Sequence, residues 1–236
     1  MTNHVQRSSR WRAFVPYALV GMAHVVLVLT GPEPAAAVSK ALLMPALALG
    51  LFLSARSLRR AVVLSTLAAL VLSWLGDVVL GLPWANSFVI GLAAFLLAHA
   101  AYLVLFLAVL RLRRPRLWAG VYVLWFVAFV AVLGPSLGAL FVPVAVYGAV
   151  LGAMAAFASG GSRMLAAGGA LFVASDSLLA FLTFWPGIRF PGVDALIMAG
   201  YILAQGLIIA SVVRTSAASR QPDPDGDVAP AFEGAA

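Results

Sequence analysis

Cysteine is absent from the sequence, which excludes disulfides, thiolate catalysis and cysteine-based metal sites. Charge is scarce as well. Only 10% of the 236 residues are Asp, Glu, Lys or Arg and 64% are hydrophobic, whereas a soluble domain is about a quarter charged. A soluble fold with a membrane anchor is thereby excluded, and an all-α, polytopic membrane protein is expected. Lysine occurs once, at Lys40, against fourteen arginines. The first apolar run is followed by no small-residue cleavage motif, so no signal peptide is read. No Ser-His-Asp arrangement, H-E-x-x-H or dense histidine–carboxylate cluster stands out, so neither a metal nor another cofactor is expected.

What is present is a series of long apolar runs, at roughly 13–30, 38–54, 61–80, 88–110, 117–133, 137–158, 164–184 and 194–213. Each approaches the ~20 residues that a helix needs to cross ~30 Å of hydrocarbon. Eight transmembrane helices are therefore expected. The domain reading is a basic N-terminus at 1–12, a membrane domain at 13–213 and a disordered tail at 214–236, rich in Pro, Ala, Asp and Gly. The net charge of +7 does not call for a nucleic-acid partner, because the basic residues sort into alternate loops. Arg7, Arg10 and Arg12 precede the first run. Arg56, Arg59 and Arg60, then Arg111, Arg113, Arg114 and Arg116, then Arg163, then Arg214 and Arg220 follow, and only Lys40 and Arg189 fall on the other side. By the positive-inside rule both termini are cytoplasmic. The expected location is the inner membrane of a bacterium, with no obligate protein partner evident.

The eight acidic residues are Glu33, Asp77, Asp176, Asp194, Asp223, Asp225, Asp227 and Glu233, and only Asp77 and Asp176 lie well inside apolar runs. An ionisable group at membrane depth is costly and by default functional or paired. At ~1.5 Å per residue, Asp77 lies ~24 Å and Asp176 ~20 Å from the inner face, while His99 and Gln205 lie ~17 and ~18 Å from the outer one. Lys40 stands at the outer start of the second run. Polar groups from five helices can thus converge in one outward-facing chamber. His99 and Tyr102 share a face of the fourth run, and Tyr201 and Gln205 a face of the eighth; Ser73 stands four before Asp77. Ser175 and Ser177 flank Asp176 and point to other faces.

Each residue also has a plainer reading. Asp77 and Asp176 can be paired structurally with Lys40 or His99. His99 can be a hydrogen-bonded core histidine, and His24 reads as structural. Tyr102, Tyr201 and Gln205 can serve only to hold helices together, and Lys40 can be an interfacial anchor. Gly148-x-x-x-Gly152 and Gly168-Gly169 are packing signals, and Trp74, Trp84, Trp118 and Trp185 read as an interfacial belt. A faint repeat sets Gly76-Asp77 and Phe95…His99 beside Ser175-Asp176 and Tyr201…Gln205, which would divide the chain into two four-helix halves.

Two carboxylates in a low-dielectric chamber do not readily both ionise, so one can hold a proton while the other stays charged. That is an acid–base pair, suited to metal-free hydrolysis of an amphiphile or to proton-coupled transport. Pro45 and Pro143 read as lying near helix starts, leaving no span with the mid-helix break common in transporters.

The ordered set Leu75-Gly76-Asp77, Phe88-x-x-Gly91-x-x-x-Phe95-x-x-x-His99-x-x-Tyr102, Gly169-Ala-Leu-Phe172-x-x-Ser175-Asp176-Ser177 and Tyr201-x-x-x-Gln205-x-Leu-Ile resembles the YhhN-like family, the lysoplasmalogenases, across roughly 38–213. Lys40 matches a lysine of that family. The family often follows this lysine with proline, whereas here Ala41 follows and proline comes at Pro45. The resemblance implies hydrolysis of the vinyl ether bond of a lysoplasmalogen or related lysophospholipid, to a fatty aldehyde and a glycerophospho head group. The partners would then be that lipid and the surrounding membrane lipids. The reading assigns catalysis to Asp77, Asp176 and His99, and substrate contact to Lys40, Tyr102, Ser175, Ser177, Tyr201 and Gln205. The alternative is a proton-coupled small-molecule or lipid transporter built on the same Asp/His set.

Overall fold

A computed structural model describes residues 11–218 apart from 113, 186 and 188. Arg7, Arg10, Arg113, Arg220 and the tail beyond 218 lie outside the described residues, as does most of the basic N-terminus. Among the described residues the chain is helical throughout, with no strand. We number seven helices: α1 Val15–Thr30, α2 Glu33–Ser54, α3 Arg60–Leu80, α4 Ser87–Val109, α5 Leu117–Ala158, α6 Arg163–Phe184 and α7 Val193–Ala218.

The expected count of eight spans is corrected. Six of the helices, α2 to α7, are long and apolar enough to cross a membrane. α1 has 16 residues, about 24 Å at 1.5 Å per residue, which falls short of a ~30 Å core. The expected fifth and sixth spans are one helical stretch of 42 residues, α5. Pro135 lies inside its first limb, Val121–Leu137, and does not end it. The break comes at Gly138, where φ is 52° and ψ −126°, a conformation open to glycine and strained for other residues. A short 3-10 turn, Gly138–Leu140, leads into the second limb, Phe141–Ala158. The limbs run back along each other, with Gly152 against the Trp125 ring and Gly134 against Phe141.

The helix ends follow from local chemistry. α2 begins at Glu33, five residues before the start of its apolar run. Pro34 is well placed in a first turn, where its missing N–H costs nothing, and Glu33 sits on the positive end of the helix dipole. Pro45 consequently lies within α2 and not near its start. α4 ends in a π-turn over Leu105–Val109, and Arg111 follows with φ 57°. α6 is capped by Ser162, whose hydroxyl accepts the Leu165 N–H at 3.1 Å.

Charge sorts to one end of the bundle. The Arg116 N–H reaches Ser159 at the close of α5 (3.0 Å), Ser162 bonds Ser211 (2.6 Å), and Arg214 lies 5.5 Å from the Trp11 ring. The loops bearing Arg116, Arg163 and Arg214 therefore share that end. Lipid tails are as apolar as leucine, so association of such helices rests on close packing and interhelical hydrogen bonds. α3 pairs along its length with α4, and α6 with α7. Gly76 permits the first pairing: a Cβ there would stand 2.5 Å from the Phe95 ring. The buried core runs through Leu43, Leu47, Leu70, Phe106, Leu151, Phe172 and Ile208.

Candidate active site

Lys40 is held in place by an interruption in its own helix. Pro45 has no N–H, so the carbonyl four residues earlier, that of Ala41, loses its helical partner. The Trp74 indole N–H fills that vacancy at 2.9 Å, tying α2 to α3 beside Lys40. Trp74 is thus an interhelical anchor and not part of an interfacial belt. Lys40 Nζ then lies 3.4 Å from Asp77 Oδ1. Tyr201, on α7, donates to Asp77 Oδ2 at 2.6 Å. Asp77 itself is buried, 4% exposed, so both its oxygens are served within the protein.

A chain of fully buried groups stands behind Tyr201. Tyr102 donates to Gln205 Oε1 at 2.5 Å. The Gln205 amide then donates to Ser73 at 3.1 Å and towards the Tyr201 hydroxyl at 3.5 Å. The spacings of Ser73 and Asp77 on α3, and of Tyr201 and Gln205 on α7, are what allow two adjacent turns of each helix to meet.

Asp176, half-buried on α6, has a different setting. Its Oδ2 accepts the hydroxyl of Tyr147, from the second limb of α5. The described residues show no ion pair to it; the ion pairs they do show are Lys40–Asp77 and an exposed Arg189–Asp194. Ser175 donates to the Ile197 carbonyl (2.9 Å) and Ser177 to the Val173 carbonyl (2.6 Å), while Trp125 donates to Ser177 at 3.0 Å. The serines therefore serve backbone and neighbouring helix, as their directions on α6 imply.

Lys40, Asp77, Tyr147, Ser175, Asp176, Ser177 and Tyr201 line one cavity of about 90 Å³. A water requires ~10–15 Å³ of such space, so several waters or a slender chain fit. The rest of the wall is apolar and aromatic, with Phe88, Leu92, Phe129 and Phe184 prominent; Phe88 and Phe184 meet edge to face at 5.5 Å. Polar groups at one part of an otherwise apolar slot suit an amphiphile.

The structure thus gathers Lys40, Asp77, Asp176, Ser175, Ser177 and Tyr201 at one cavity, and places His99, Tyr102 and Gln205 behind its wall. His99 is fully buried. Its Nδ1–H donates to the Phe95 carbonyl at 2.7 Å, its Nε2 has no hydrogen-bond partner, and its ring lies edge-on to Phe172 (4.6 Å) and Tyr147 (5.4 Å). It meets Asp176 only through Tyr147. His24 bonds Ser39 at 2.8 Å and links α1 to α2. Among the described residues no three His, Asp or Glu come together as a metal would need. Sequence reasoning missed Tyr147 and Trp125, which look like ordinary aromatic core; the faint repeat was the signal that could have found Tyr147. It sits seventh in its limb, as Lys40 sits eighth in α2, and each reaches one of the two aspartates.

The model of the YhhN family matches residues 35–212, which takes in every residue of the cavity. No curated protein and no solved structure matches the chain.

Proposed function

We propose that this chain, which belongs to the YhhN family, is a membrane hydrolase that cleaves the vinyl ether bond of a lysoplasmalogen or a related lysophospholipid. One observation carries the reading: Asp77 and Asp176, the carboxylates of two different helices, line a single cavity that is otherwise apolar.

The chemistry asks for what such a cavity offers. A vinyl ether hydrolyses by protonation of its β-carbon, which leaves an oxocarbenium ion for water to attack. A general acid, a base for the water and negative charge beside the cation are needed, and two carboxylates can provide all three, as they do in glycosidases. The resulting hemiacetal collapses to a fatty aldehyde and a glycerophospho head group. In this reading the alkenyl chain lies along Phe88, Leu92, Phe129 and Phe184. Lys40, 27% exposed at its side chain, meets the phosphate at the mouth. Ser175, Ser177 and Tyr201 shape the polar end. His99, from behind, steadies the Tyr147 ring and through it Asp176. Both termini face the cytoplasm of a bacterial inner membrane, the side to which the arginine-bearing end of the bundle points.

The test is the purified protein with a lysoplasmalogen, assayed for aldehyde beside Asp77→Asn and Asp176→Asn. Release by wild type and loss in both variants support the reading. Full activity in either folded variant overturns it. A proton-coupled transporter is the second reading; Pro45 within α2 leaves the Ala41 carbonyl without its helical partner, a local weakening at the depth of the site of the kind that transporters use. Wild type that releases no aldehyde, yet moves protons with a lipid across a vesicle membrane, would establish that reading.

A further inference from the structure

We propose that the two aspartates hold fixed and different charge states: Asp176 carries the proton given to the vinyl ether carbon, and Asp77 stays a carboxylate that takes a proton from water. This rests on the hydrolase reading for its chemistry, but the charge assignment stands on geometry.

Asp77 is surrounded by donors. Lys40 Nζ serves Oδ1 at 3.4 Å and the Tyr201 hydroxyl serves Oδ2 at 2.6 Å. The Tyr201 proton is committed to Asp77 by the chain behind it. Tyr102 donates to Gln205 Oε1, which turns the amide nitrogen towards Ser73 and the Tyr201 oxygen. The branch through the Tyr201 oxygen ends on Asp77. A proton on Asp77 would cancel the charge that the ammonium and this hydroxyl both stabilise.

Asp176 has one donor, the Tyr147 hydroxyl on Oδ2. No hydrogen bond reaches its Oδ1 among the described residues. The other groups around it are Ser177, which donates its own hydrogen to the Val173 carbonyl, His99, screened by the Tyr147 ring, and, on the same cavity, Asp77 and Lys40, which are paired with each other. Two anions lining one small apolar cavity repel, and one proton between them is the cheaper arrangement. The cation stands beside Asp77, so the proton belongs on Asp176, where Oδ1 is free to hold it and present it to the cavity.

The cycle closes on this assignment. Asp176 gives its proton to the β-carbon and becomes a carboxylate beside the oxocarbenium ion. Water adds to that ion and its proton passes to Asp77. In the hemiacetal the hydroxyl proton goes to Asp176, while Asp77 protonates the departing glycerol oxygen. The aldehyde and the head group leave, one water is consumed, and both aspartates regain their starting forms.

Infrared spectroscopy of the purified full-length protein at neutral pH reads the assignment without turnover. A protonated carboxyl shows a C=O stretch that shifts on exchange into D2O. Wild type is expected to show one such band, Asp176→Asn to lose it and Asp77→Glu, which keeps an anion beside Lys40, to leave it at the same frequency. Lys40→Met, which takes away the cation beside Asp77, is expected to add a second. A band that survives Asp176→Asn, one that shifts or disappears in Asp77→Glu, or wild type with none overturns the proposal. The amide bands of the same spectra check that each variant is folded. Bands that behave as stated in a protein that releases no aldehyde would sink the hydrolase reading and leave the charge assignment standing.

Discussion

The helices around Asp77 and those around Asp176 share a plan and differ in the donors that each aspartate meets. In each, a helix carrying the aspartate packs against the helix that follows it: α3 on α4, α6 on α7. In each, an earlier helix reaches across with one side chain, Lys40 to Asp77 and Tyr147 to Asp176. Even the cross-contacts correspond. Gln205 of α7 reaches Ser73 of α3, and His99 of α4 reaches Phe172 of α6. An ammonium stands in one half where a phenol stands in the other. Asp77 thus has an ammonium and a phenol as donors where Asp176 has a phenol alone, and under the proposed charge assignment that difference sets two like groups to unlike tasks.

The largest expected effect comes from removing either carboxylate. Asp77→Asn and Asp176→Asn should each lower aldehyde release by ~10²–10⁴-fold, the usual span for a general acid or base, with helicity by circular dichroism unchanged. Equal activity of one variant and wild type would end the idea of a pair. Next comes the ion pair. Lys40→Met takes away the cation beside buried Asp77, which then has to take up a proton, and should lower stability in unfolding titrations by at most the about 3–5 kcal/mol of a broken buried pair. Adding Asp77→Asn should recover most of it, whereas additive losses would show that the two side chains do not interact.

The two phenols test the asymmetry more finely. Tyr201→Phe removes a hydrogen bond to a charged group and should cost about 1.5–3 kcal/mol; Tyr147→Phe removes one to a neutral acid and should cost about 0.5–1.5 kcal/mol. The reverse order would contradict the charge assignment. Gly76→Ala, whose new methyl group would meet the Phe95 ring, should cost about 1–3 kcal/mol by overpacking. The smallest effect expected is that of Trp74→Phe. An interhelical hydrogen bond within a membrane averages ~0.6 kcal/mol, and a loss above 2 kcal/mol would mean that the indole does more than cap the Ala41 carbonyl.

The charged members of the site could be read from the chain because a charge inside an apolar run is conspicuous. Asp77, Asp176 and Lys40 announce themselves in this way. Tyr147 and Trp125 do not, because a phenol or indole on a membrane helix is indistinguishable by composition from core packing, and only the partner across the interface gives it a role. The helix count failed for a related reason. Gly134-Pro135-Ser136-Leu137-Gly138 has the composition of a loop, yet helical hydrogen bonding continues past Pro135 and the turn is confined to Gly138–Leu140. The start of α2 was missed because Glu33 and Pro34, polar or rigid in a hydropathy reading, make a favourable first turn. Placing His99, Tyr102 and Gln205 behind the wall of the cavity required the packing angles of α4 and α7, which no spacing along one helix contains.

The indole that caps the Ala41 carbonyl has a mechanical consequence. It anchors the backbone one residue from Lys40, so the four carbons of the lysine stem alone set the reach of the ammonium. Lys40 is therefore a tethered arm: its charge lies beside Asp77 from a backbone point that is fixed to the helix bearing that aspartate.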